Sequence, residues 1–210
     1  MTMFKSLTTA AFAGAALCAT AAAATVDVST TTETVAVGDT FEVRIAYSAE
    51  TMEEFLSLAD FEFTFEEGLF TFVGADFVDG TTGQNQLSLD GDPDSFGQGI
   101  FTVTEDILPG EITVSAISEN SLDFLGANQA DDFSIVTLTF VAEMAGTGDL
   151  GLGTLRDFIV ETLGGGFGQA DILDSFVTVD VVADAVPLPG AAVFLLTGAA
   201  GLFARRKMAA

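Results

Sequence analysis

Between Val26 and Ala183 apolar and polar positions alternate with a period of two in short runs, while apolar residues at helical spacing are scarce. Phe41, Val43, Ile45 and Tyr47 alternate with Glu42, Arg44 and Ala46, and Phe61, Phe63 and Phe65 alternate with Glu62 and Thr64. Successive side chains of a strand point to opposite faces, so this pattern predicts strands with one face on a core and the other in water. The same alternation recurs at Phe101 and Val103, at Ile112, Val114 and Ala116, at Val136, Leu138 and Phe140, and at Val177, Val179 and Val181. Weaker strands are expected at Val26 to Val28, Phe70 to Val73 and Leu150 to Leu155. Reversal chemistry separates the runs: Val37-Gly38-Asp39, Asp79-Gly80, Leu108-Pro109-Gly110, Gly146-Thr147-Gly148 and Gly164-Gly165-Gly166. Some eight or nine strands at this spacing predict an antiparallel β-sandwich. Ala49 to Ser57 is expected to form a short helical turn, and Thr81 to Gly99 a long surface loop.

The two ends depart from this pattern. Residues 1–24 read as a signal peptide: Lys5 supplies the positive start, Leu7 to Leu17 the apolar stretch, and Ala22-Ala23-Ala24 the small-residue cleavage site. Cys18 does not make a lipoprotein site, because Leu17 stands directly before it where a small residue is required. Residues 185–210 hold a short hydrophobic helix, apolar from Gly190 to Ala204 and closed by Arg205, Arg206 and Lys207, whose charge would stay on the cytoplasmic side. A bilayer core needs roughly 20 apolar residues, so this segment is short for a permanent anchor. Residues 25–184 remain as one domain.

Charge sharpens the division. All 31 acidic residues lie between Asp27 and Asp184 with only two cations, Arg44 and Arg156, a net of −29 for the middle of the chain. Such a field repels nucleic acid and anionic membrane surfaces. The many Phe, Val, Leu and Ile residues still supply the core that acidic disordered chains lack.

The available chemistry is narrow. The chain has no histidine, and its one cysteine lies in the predicted signal peptide, which removes Ser-His-Asp and Cys-His schemes and the common zinc sites. Asp90, Asp92 and Asp94 stand at alternate positions of a turn-prone segment, an oxygen-rich pattern that suits Ca²⁺. It is not an EF-hand, since Ser95 fills the sixth position and Phe101 the twelfth; a solvated acidic turn is the competing reading. Gly164 to Gly168 lacks the Lys and Ser or Thr of a phosphate loop and reads as a strand connector. With no Trp and with Tyr47 in the core phase, an aromatic sugar platform is not evident.

Two resemblances extend the picture. Val186-Pro187-Leu188-Pro189-Gly190, then Phe194-Leu195-Leu196-Thr197-Gly198 and the basic end, resembles a VPLPA-CTERM signal of the PEP-CTERM type, with Gly190 where alanine is usual. This implies an exosortase-like processing transpeptidase as partner, transient membrane attachment through the helix, and delivery to the cell envelope or extracellular matrix. Val37-Gly38-Asp39-Thr40-Phe41-Glu42-Val43, Phe61 to Phe65 with Gly68-Leu69-Phe70, Pro109 to Val114, and Val136 to Ala142 with Gly146-Thr147-Gly148 resemble a cohesin-like domain. The fold class expected is therefore all-β, a cohesin-like sandwich or jelly roll. The function expected is a non-enzymatic binding or structural module with a protein partner. A carbohydrate-binding module for extracellular polysaccharide and a carboxylate-dependent glycosidase are the alternatives.

Overall fold

A computed structural model describes residues 24–97, 99–105, 108–163 and 165–183. The expected signal peptide but for Ala24, the motif Val186 to Gly190, the expected hydrophobic helix and the cluster Arg205 to Lys207 lie outside the described residues. In chain order the elements are β1 (Thr25–Thr30), β2 (Thr34–Ala36), β3 (Thr40–Ser48), β4 (Glu54–Phe65), β5 (Phe70–Asp76), β6 (Ile100–Glu105), β7 (Glu111–Ile117), α1 (Leu122–Asn128), β8 (Asp132–Ala142), β9 (Gly146–Thr162), β10 (Phe167–Gln169), β11 (Asp171–Ile172) and β12 (Phe176–Val182).

Two sheets form, one ordered β11-β1-β3-β8-β5 and the other β2-β12-β9-β4-β7-β6, with β10 on β9. Pairing is antiparallel except where the short β11 and β2 join β1 and β12. The sandwich expected from alternation is present, and the strands beyond the expected number include the two- and three-residue pieces β2, β10 and β11, too short to carry a periodic signal.

Alternation explains the core. Phe41, Val43, Ile45 and Tyr47 of β3 are all buried, as are Phe61 and Phe63 of β4 and Ile112, Val114 and Ala116 of β7. Phe140 on β8 is a hub: the rings of Phe41, Phe63, Phe65 and Phe72 lie 5.2–5.9 Å from it, centroid to centroid. Burying each such ring contributes about 1.5–3 kcal/mol.

Two expectations are corrected, and one element was not foreseen. The stretch Ala49 to Ser57 is not helical. β4 begins at Glu54, and the preceding turn is closed by the Glu54 Oε2 carboxylate, which accepts from the Glu50 and Thr51 amides at 3.0 and 3.2 Å. Pairing of Glu54, Phe55 and Leu56 with Thr162, Glu161 and Val160 overrides the local turn tendency. The stretch Thr81 to Gly99 is not simply a surface loop, because Gln86, Leu87 and Leu89 are buried within it. Finally, α1 was not expected, although Ser121 before Leu122 with Asp123 in the first turn is a helix-start signal.

A candidate protein interface on one sheet face

The sandwich has two outer faces, and they differ. On the β1-β3-β8-β5 sheet the outward row set includes Ser29, Arg44 and Thr137 in register, then Glu42 and Thr139. These rows are polar, with the exposed Val73 beside them where the β5 register shifts. On the other sheet, outward positions begin with an apolar row: Ile100 pairs with Ile117, Ile117 with Leu58, and Leu58 with Ile159, so four branched side chains cross β6, β7, β4 and β9. Ile100 is 48% exposed and the other three are partly exposed.

The rows beyond are hydrophilic. Thr102, Ser115, Asp60 and Asp157 follow in register, then Thr104, Thr113 and Glu62. On the other side of the apolar row, α1 seals the surface: Leu125 and Phe124 pack with Leu89 on Phe55. The apolar row is thus the uncovered continuation of a patch that the helix covers. Its carboxylates are held by neutral donors, Ser115 Oγ to Asp60 at 2.6 Å and Gln169 Nε2 to Asp157 at 2.7 Å.

The remaining polar anchors serve both sheets: Asp79 binds Ser134 of the opposite one, to which Tyr47 also belongs, and Gln129 serves β4. Asp79 is 0% exposed, and its carboxylate accepts from the Ser134, Thr81 and Thr82 amides at 2.9, 3.1 and 2.7 Å, with Arg44 Nη2 at 3.5 Å. Burial pushes its carboxyl up, but those hydrogen bonds outweigh it and hold the group below the usual carboxylate range. Gln129 follows α1 and serves both backbone groups of Leu56, accepting from its N–H at 2.7 Å and donating to its C=O at 2.9 Å. The register of β4 against β9 shifts between Leu56 and Leu58, so this amide supplies hydrogen bonds where the ladder is irregular. Tyr47 is buried with a hydroxyl that has no hydrogen-bond partner among the described residues, and burial first, then Glu54 and Asp131, raise its ionisation far above the ordinary value.

Asp90, Asp92 and Asp94 do not form a ligand cage. Asp92 Oδ2 accepts from the Ser121 amide at 2.6 Å, while Oδ1 accepts from the Asp94 amide at 3.0 Å and the Ser121 hydroxyl at 3.3 Å. Partial burial raises the Asp92 carboxyl and these bonds lower it further than burial raises it. Asp90 and Asp94 are exposed, and among the described residues no three His, Cys, Asp or Glu side chains converge to hold a metal ion. Asp92 instead ties its loop to the start of α1. Gly165, with φ +78°, sits in the turn between β9 and β10, where the strand-connector reading places it.

The sequence marks Asp79 only as a turn residue and Gln129 not at all, since each acts through backbone groups 43 to 73 residues away in some of its bonds or through a ladder irregularity that no local pattern reveals. The apolar row was legible in part: Leu58 shares the phase of Asp60 and Glu62, which the alternation puts in water.

No family model matches this chain, and no curated protein matches it. Solved structures do. The seventh ScaB type I cohesin from Pseudobacteroides cellulosolvens matches with TM-score 0.52 at 13% identity, over 80% of this chain and 96% of that one. The sixth cohesin of scaffoldin B from Acetivibrio cellulolyticus, solved in complex with a Cel5 dockerin, matches with TM-score 0.51 at 13% identity, over 76% and 99%. A non-cellulosomal cohesin from the archaeon Archaeoglobus fulgidus matches with TM-score 0.50 at 10% identity, over 77% and 92%. At these identities the likeness is one of fold, and the fold is a cohesin-like β-sandwich.

Proposed function

We propose that this chain is an exported, non-enzymatic protein-binding module of the cell envelope or extracellular matrix, which docks its partner on the outer face of β6, β7, β4 and β9. The carrying observation is the row Ile100, Ile117, Leu58 and Ile159, left partly open to solvent beside rows of acidic and hydroxyl side chains. A contiguous apolar strip with a polar rim is the anatomy of a protein interface. The fold supports the reading, since one similarly folded cohesin was solved with a dockerin seated on it. Export rests on the two terminal segments, with an exosortase-like transpeptidase acting near Val186 to Gly190 and the helix holding the membrane until then.

Two measurements test it. Leu58→Lys with Ile117→Lys should abolish saturable binding of a native envelope protein, whereas Thr139→Lys on the opposite face should leave it intact; equal binding by both variants sinks the assignment. The intact mass of protein taken from its native envelope should lack residues 1–24 and the tail beyond the proline motif. Full-length, untrimmed chain in the cytosol would overturn the export part.

Binding of extracellular polysaccharide is a second reading with one observation in its favour. A cleft between the sheets is lined by Phe176, a residue 58% exposed, and by Thr34, Thr178, Glu33 and Asp174. A ring face beside hydroxyls and carboxylates suits a sugar. Phe176→Ala should then remove retention on a matrix polysaccharide, and no retention by the unaltered chain on any such polysaccharide discards it. Carboxylate-dependent glycoside cleavage falls if glycosidase screens of the folded domain stay blank.

A further inference from the structure

β9 is the longest strand among the described residues, and its pairing with β4 breaks on the hydrophilic side of the candidate interface, just beyond the Asp60–Asp157 pair. Phe63 pairs with Leu152 and Phe61 with Arg156, so Gly153, Thr154 and Leu155 together stand opposite Glu62 alone. The bulge is pulled onto the neighbouring strand by the Leu155 amide, which donates to Glu62 Oε2 at 3.2 Å. Gly153 permits this approach, because a Cβ there would fall 2.8 Å from the Glu62 Cβ. Bulges of this kind re-aim side chains, and here Leu155 emerges 66% exposed with Arg156 exposed beside it.

Arg156 lines a groove with Asp60, Glu62 and Asp157 yet pairs with none of them; among the described residues its guanidinium makes no hydrogen bond or ion pair. Each of the three carboxylates already takes a neutral donor, from Ser115, Leu155 and Gln169 respectively. The other cation of the domain, Arg44, is engaged with buried Asp79. Arg156 is therefore a cation with its whole donor fork unused, on a bulge, next to an exposed leucine, in a region of net −29.

We infer that Leu155 and Arg156 are the specificity-determining anchor of the interface: Leu155 enters an apolar socket of a protein partner and Arg156 takes a carboxylate of that partner in a forked pair. This inference rests on the reading of the sheet face as a protein interface. Around that carboxylate the partner surface is cationic, because Asp60, Glu62 and Asp157 reject an acidic one. Arginine in a forked pair supplies geometry as well as charge and is enriched at the energetic centres of interfaces. The same field disfavours a second copy of this chain as the occupant.

A purely structural role is the rival, since Asp60 and Asp157 are direct cross-strand neighbours and a nearby cation would ease their repulsion. The test uses the full exported chain in its native envelope with a photo-crosslinking residue at position 117, and separately at 155. Both positions should label the same protein. Arg156→Glu should reduce labelling from 117 by about tenfold or more, with Arg156→Lys intermediate and the melting temperature of both variants close to that of the parent. Replacing the partner's crosslink-proximal Asp or Glu by Arg should then restore labelling of Arg156→Glu. Undiminished labelling from 117 in Arg156→Glu, or loss of labelling that tracks a lowered melting temperature in both variants, overturns the anchor while leaving the face reading standing. Absence of labelling at 117 in the parent chain removes the face reading itself.

Discussion

Asp79 shows how a single carboxylate can organise a loop in a domain already overloaded with negative charge. Oδ1 accepts one amide and Oδ2 two, so an asparagine nitrogen at either position leaves at least one buried donor without an acceptor, and Asp79→Asn should cost about 1–3 kcal/mol at neutral pH, read as a lowered denaturation midpoint. Because the folded-state carboxyl is depressed, its contribution is fully present above the unfolded value near 3.9 and fades as pH falls below about 4. The gap between parent and Asp79→Asn should therefore narrow in that acid range; a gap independent of pH would contradict the assignment. Asp92 makes a separate prediction. With its oxygens taken by Ser121 and Asp94, Asp92→Ala should lower the melting temperature by the same amount with chelator or with millimolar Ca²⁺, whereas a calcium-dependent difference would restore the metal reading.

At the scale of elements, irregularities matter more than the regular ladders. The β4 register shift at Leu56 is supported by Gln129, and Gln86 Oε1 in turn accepts from the Ala130 amide at 2.9 Å. Gln129→Ala leaves the N–H and C=O of a buried residue without these bonds, so a loss of about 2–3 kcal/mol is expected in chemical denaturation. The turn entering β7 depends on Gly110, whose φ is +78° and whose added Cβ would fall 2.3 Å from the Phe65 carbonyl oxygen. Gly110→Ala should therefore destabilise more than an ordinary surface alanine, by about 1–3 kcal/mol, and a neutral melting curve would refute that.

For the whole molecule the governing quantity is uncompensated charge. Arg44–Asp79 is the one ion pair among the described residues, and three carboxylates lean on cross-strand hydroxyls instead, Asp60 on Ser115 at 2.6 Å, Asp149 on Thr178 at 2.6 Å and Asp180 on Thr147 at 2.5 Å. Hydroxyls satisfy the oxygens without cancelling charge, so repulsion is left to solvent ions. Raising salt from about 0.05 M to about 1 M shortens the screening length to about 3 Å and should raise the melting temperature by several degrees; a flat or falling midpoint would show that the acids do not strain the fold.

By itself the chain's alternation determined the all-β class, the core-facing side chains of β3, β4, β7 and β8, and the outward phase of Leu58, because period two is a local property that burial must obey. Tertiary structure alone decided which strands lie side by side, and hence that Ile100, Ile117, Leu58 and Ile159 form one row although they are spread over 102 positions from first to last. It also turned Ala49 to Ser57 from an expected helical turn into the start of a strand, bent β9 outward at Leu155, and committed Asp92 to a helix start. The reason is physical: a register, a bulge and a loop anchor are set by hydrogen-bond partners far away in sequence, and no window of neighbouring residues contains them.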